Sequence, residues 1–101
     1  MMVIRNLVEQ MNEELEDAKK YAHCALKYKT SRKSLSDTYL TLGKEELTHF
    51  TRLHDQVSQI IEDARQKGTQ PSASMMELYD YEHDKAMDCY AEIRVLIESI
   101  K

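Results

Sequence analysis

Three carboxylates and one imidazole stand where the sequence calls for apolar side chains. At 100° per residue, Glu14 falls between Met11 and Ala18 on one apolar stripe. Glu46 falls between Leu42 and Phe50 on a second stripe, and Glu82 between Tyr79 and Ala86 on a third. His49 follows Glu46 on the same side in the run Glu46-Leu47-Thr48-His49, and positions i and i+3 of a helix face the same way. A carboxylate turned toward an interior loses hydration it cannot do without, and several facing one interior also repel. No Lys or Arg occupies the centre of any stripe to offset this. Protonation or a bound cation remains, and a metal ion removes both penalties, since carboxylates are hard oxygen donors and imidazole suits iron, manganese or zinc. A lone Glu from some helices and Glu-x-x-His from others is the donor pattern with which helical bundles hold two metal ions.

The elements that must carry these residues are set by scarce punctuation. Among 101 residues there are two Gly and one Pro, too few for the turns of an all-β fold. The breakers leave three helices, about 3–30, 35–67 and 73–101, in a single domain spanning 1–101. The first closes in the polar patch Lys29-Thr30-Ser31-Arg32-Lys33-Ser34. Ser34 or Ser36 is expected to cap the second, Gly68 to end it, and Ser72 or Ser74 to cap the third. Gly43, inside the second helix, marks a place where another helix comes close. The stripes are Leu7, Met11, Ala18, Tyr21, Ala25 and Tyr28; then Leu35, Tyr39, Leu42, Phe50, Leu53, Val57 and Ile60; then Met75, Leu78, Tyr79, Ala86, Cys89, Ile93, Leu96 and Ile100. They predict an all-α, antiparallel long-helix bundle. A net charge of −4 argues against nucleic acid as partner, and no apolar run is long enough to span a membrane. Two Cys in a Lys/Glu-rich chain and a short, polar start make a cytoplasmic protein with reduced thiols the expectation.

The segment from Met11 to Tyr21, followed by Glu45-Glu46-Leu47-Thr48-His49, resembles the ferritin-like superfamily. In its di-iron members a first-helix Glu is followed seven residues later by Tyr, and the next helix carries Glu-x-x-His. Glu14 with Tyr21 and Glu46 with His49 match these elements, and the 32 residues separating Glu14 from Glu46 resemble the family interval. The likeness covers about residues 7 to 61 and is closest to the encapsulated ferritins and to half of a rubrerythrin domain. The family bundle has four helices with a second Glu and a second Glu-x-x-His, whereas no Glu-x-x-His follows Gly68 here. The resemblance therefore implies a four-helix bundle completed by a homodimer, in which two chains supply four Glu and two His around two iron ions, with manganese or zinc as alternatives. It implies oxidation of Fe(II) by O2 or peroxide, a ferroxidase-type activity.

Glu82 and His83 are weaker ligand candidates. Adjacent residues lie about 100° apart on a helix, and Glu82 is roughly 15 Å or more from Glu46 along the axis of a simple hairpin. Glu82 joins the Glu46 site only if the third helix swaps between subunits. Tyr21 is placed to donate a hydrogen bond to a ligand carboxylate. His23 is expected to be exposed, and His54 and His83 to lie on helix flanks, with His83 able to supplement Glu82. The alternative function is a non-catalytic, self-associating helical bundle without metal, a structural or regulatory protein whose core carboxylates are satisfied by Tyr hydroxyls or water.

Overall fold

The computed structural model describes residues 2–100. Met1 and Lys101, the outermost positions of the expected domain and third helix, lie outside the described residues. Helix α1 spans Met2–Lys27, α2 Lys33–Gln66 and α3 Ala73–Ile100, in a rod of 56 × 18 × 18 Å. The described residues are helix and connecting turns. None of the helices is long and apolar enough to cross a membrane. The α1–α2 hairpin is the most extensive contact, and α3 lies against this pair, more on α1 than on α2.

The two turns use different chemistry. At the first, α1 ends at Lys27, before the expected position near 30, where the Lys29 N–H turns back to the Leu26 carbonyl. Neither Ser34 nor Ser36 caps α2, which begins at Lys33 after Arg32, a residue without a side-chain capping bond. Ser36 lies inside the helix, its N–H bonded to the Arg32 carbonyl and its hydroxyl donated to the Ala25 carbonyl at 2.6 Å. That hydroxyl satisfies a carbonyl in the last turn of α1, where helical partners run out. At the second turn, Gly68 adopts φ of 69°, the Gly68 N–H bonds the Arg65 carbonyl and the Thr69 N–H bonds the Ala64 carbonyl. This is the double bond of a Schellman ending, which glycine enters without a Cβ penalty. Ser72 accepts the Met75 N–H at 3.3 Å and is the expected cap of α3.

Burial follows the expected stripes with a rotation. Along α1 the buried residues are Ile4, Met11, Leu15, Ala18, Ala22 and Ala25; along α2 they are Ser36, Gly43, Leu47, Phe50, Val57, Ile61 and Ala64. Leu15, Ala22, Leu47 and Ile61 replace Tyr21, Tyr28, Leu42 and Leu53 in the core, because α3 covers one flank of the hairpin and draws that flank inward. The displaced stripe members are half-buried on the flank α3 leaves open. On α3, burial is confined to Ala86, Ile93, Ile97 and Ile100, and Leu78, an expected stripe member, is 59% exposed. Gly43 sits at the meeting of all three helices, where an added Cβ would lie 3.5 Å from Ile97 Cδ1 and 3.6 Å from the Ala18 carbonyl. The approach is close, as expected, yet these are ordinary van der Waals distances that leave room for a methyl group.

Replacing Ser36 by Ala leaves the buried Ala25 carbonyl without its side-chain donor. The expected outcome is a loss of about 1–2 kcal/mol, read as a lower urea midpoint with an unchanged slope.

Candidate metal centre

Glu14 lies halfway along α1, and Glu46 and His49 lie near the middle of α2, so the antiparallel hairpin brings them level. One ligand atom from each of the three lies within 4.8 Å of the others. His49 Nδ1 is 3.6 Å from Glu14 Oε2 and 3.5 Å from Glu46 Oε1. The carboxylates are half-buried, with side chains 26% and 18% exposed, while the His49 side chain is 47% exposed at the mouth. The mouth is an open cleft lined by Gln10, Glu13, Glu14, His49, Arg52 and Leu53. Among the described residues, His49 is the one basic side chain within 4.0 Å of either carboxylate.

The electrostatics record the crowding. Glu46 is pushed up from 4.5 to about 7, chiefly by its side-chain hydrogen bond with Glu14, then by burial and by the Glu14 charge. His49 opposes the shift and Asp17 adds to it. Two carboxyls share a groove with too little positive charge, and a proton between them relieves part of the repulsion. A divalent cation held by the same oxygens would relieve it more fully, with His49 as a third donor.

The remaining sequence candidates lie elsewhere. Glu82 lines two clefts between α1 and α3, one with Ile4, Arg5, Val8 and Tyr79 and the other with Asn12, Lys19, Lys85 and Cys89. Within the chain it is therefore apart from the Glu14–Glu46–His49 group, as its distance from the turn implied. His83 does not supplement Glu82 but meets His54, Nε2 to Nε2, at 2.9 Å. The expectation that both histidines are mere flank residues is thus corrected. His54 stands in a seven-residue row with buried Leu47 and Ile61, and His83 in a row with Tyr90 and buried Ile97. The missed signal was their position about the Gly68 turn, His54 twelve residues before the end of α2 and His83 ten after the start of α3. Tyr21 stacks on Tyr39 at 6.1 Å, and Tyr39 on Tyr28 at 6.2 Å. No hydrogen bond joins Tyr21 to Glu14 or Glu46 among the described residues. His23 is exposed.

Comparison of the chain with protein-family models, with curated proteins and with solved structures finds no match.

The proton held by Glu46 links the site to stability. A carboxyl raised in the folded state stabilises the fold below pH about 4.5 and withdraws that contribution as pH rises through about 7. Without added metal, wild-type stability relative to Glu46→Gln should therefore fall across this window. The variant should be more stable at pH 8 by about 1–2 kcal/mol, after allowing for solvent screening at the open cleft. Parallel urea titrations at pH 4.5, 6 and 8 check this, and a pH-independent difference would contradict it.

Proposed function

We propose that this chain is a ferritin-like metal-binding protein whose Glu14, Glu46 and His49 form half of a two-metal centre completed by a second copy. The supporting observation is the convergence of those three donors within 4.8 Å in a cleft with a deficit of positive charge. The donor set fits iron: carboxylate oxygens that can bridge two ions and an imidazole that can cap one. Glu46 would hold the metal from the more buried side, Glu14 from the facing helix, and His49 at the mouth. Iron bound there would supply the one-electron steps by which Fe(II) reduces O2 or peroxide.

The chain's own part is positional. Both carboxylates project from mid-helix positions held by packed turns on either side, so the donors are fixed before metal arrives. The half-buried flank left open by α3 carries Leu7, Tyr21, Tyr39, Leu42, Leu53 and Ile60 around the site. A two-fold partner laid on that flank would cover these apolar side chains, exclude water from the mouth, and bring a second Glu14–Glu46–His49 set opposite the first. The dimer would then hold four Glu and two His.

A metal-free, self-associating bundle is the second reading, favoured by one specific observation. The Glu14–Glu46 hydrogen bond already gives the pair a proton to share near neutral pH. Under that reading the open flank serves an interface, and the carboxylates need no ion.

Anaerobic reloading with Fe(II) after chelator treatment separates the two. The proposal predicts about one iron per chain, abolished in both Glu46→Ala and His49→Ala, with oxidation on admitting O2 slowed at least about tenfold in each. Iron at background in the wild type would overturn it in favour of the metal-free reading.

A further inference from the structure

His54 on α2 and His83 on α3 approach at the ring nitrogens that face each other, Nε2 to Nε2, at 2.9 Å. The other nitrogen of each ring faces a carboxylate on the neighbouring residue, His54 Nδ1 at 3.7 Å from Asp55 Oδ1 and His83 Nδ1 at 3.5 Å from Asp84 Oδ1. Both carboxylates are largely exposed, 74% and 85%, and neither is hydrogen-bonded to its ring, so the Nε2–Nε2 approach itself is the defining geometry. At 2.9 Å one ring donates its Nε2 proton to the other ring's lone pair, and a cation bound by both nitrogens would take that proton's place. The rings are braced for this: His54 stacks on Phe50 at 6.4 Å and His83 lies 5.9 Å from the Tyr79 ring.

We propose that His54 and His83 form a second metal site, a two-imidazole clamp for a borderline divalent cation of the Zn(II) class, which fastens α3 to α2. Imidazole nitrogens select zinc, copper or nickel over calcium or magnesium, and they sit about 2.0–2.1 Å from zinc. Two such nitrogens at a tetrahedral angle are about 3.3 Å apart, so the 2.9 Å pair need open only slightly to admit the ion. Both side chains are partly exposed, 26% and 32%, so water can complete the coordination. The clamp falls where the fold is thinnest. The α2–α3 contact is the sparsest of the three helix pairs, and no residue of α3 before Ala86 is buried. A metal joining residues 54 and 83 would hold down the half of α3 that packing leaves loose.

The site is independent of the carboxylate centre, and its test is run with that centre removed. Zn(II) is titrated into the Glu46→Ala/His49→Ala protein by calorimetry, with hydrogen exchange of residues 73–85 followed with and without Zn(II). The expected result is about one Zn(II) per chain, slowed exchange across the first half of α3, and at least about tenfold weaker binding when His54→Gln or His83→Gln is added. The glutamine variants keep a polar side chain at partly exposed positions, and their helical circular dichroism verifies folding. Absence of Zn(II) binding in the parent protein, or binding unchanged by both glutamine variants, would overturn the proposal and leave the pair joined by a shared proton alone.

Discussion

The bond from the Ser36 hydroxyl to the Ala25 carbonyl sets the register of α1 against α2, and the functional geometry descends from that register. Seven residues further from the turn on each helix, Gly43 meets the Ala18 carbonyl. The same step continues through the buried rows Ile4, Met11, Ala18, Ala25 on α1 and Ser36, Gly43, Phe50, Val57, Ala64 on α2. Rows with a seven-residue period stay in contact along a helical pair, so the register fixed at the turn persists for the length of the rod. Glu14 and Glu46 both lie between the Ala18–Gly43 level and the Met11–Phe50 level, which is why they face each other. A slip of one residue would turn one carboxylate away and dissolve the group.

The cost of that placement is visible in Glu46, which holds a proton near neutrality because Glu14 stands beside it. The two acids stand among the buried side chains of Met11, Leu15, Ala18, Leu47 and Phe50, with no Lys or Arg paired to them. The apolar side chains around them are also left unfinished. α3 covers one flank only, and Tyr21, Tyr39, Leu42 and Leu53 remain half-buried on the other. A charge-deficient carboxylate pair and an uncovered apolar flank share one side of the molecule, and the proposed second copy with shared metal would answer both.

Much of this was legible in the residues. Helical periodicity located Glu14, Glu46 and His49, because a charged residue on an apolar stripe stands out whichever way the stripe turns. Gly68 and Ser72 marked the second turn, since positive φ and an N-cap each call for a small set of residue types. What escaped was the direction in which each stripe faces. Periodicity gives an apolar arc, whereas the packing of α3 decides which edge of the arc becomes core, and it admitted Leu15, Ala22, Leu47 and Ile61 ahead of the tyrosines. Ser36 has the sequence signature of a cap, because a serine near a helix start caps it more often than it bonds a neighbouring helix. The His54–His83 pair is not visible in either helix's own periodicity, and only their nearly equal distances from the Gly68 turn bring the two together.

In the proposed function one chain holds half a metal site and a second copy supplies the rest. Sedimentation of the chelator-treated protein, before and after anaerobic addition of Fe(II), tests it most directly. The account predicts that Fe(II) drives monomer to dimer or a larger even-numbered assembly, and that Glu14→Ala loses this response while remaining helical. A mass that stays at one chain after Fe(II), in protein that nonetheless binds the metal through Glu46 and His49, would contradict it.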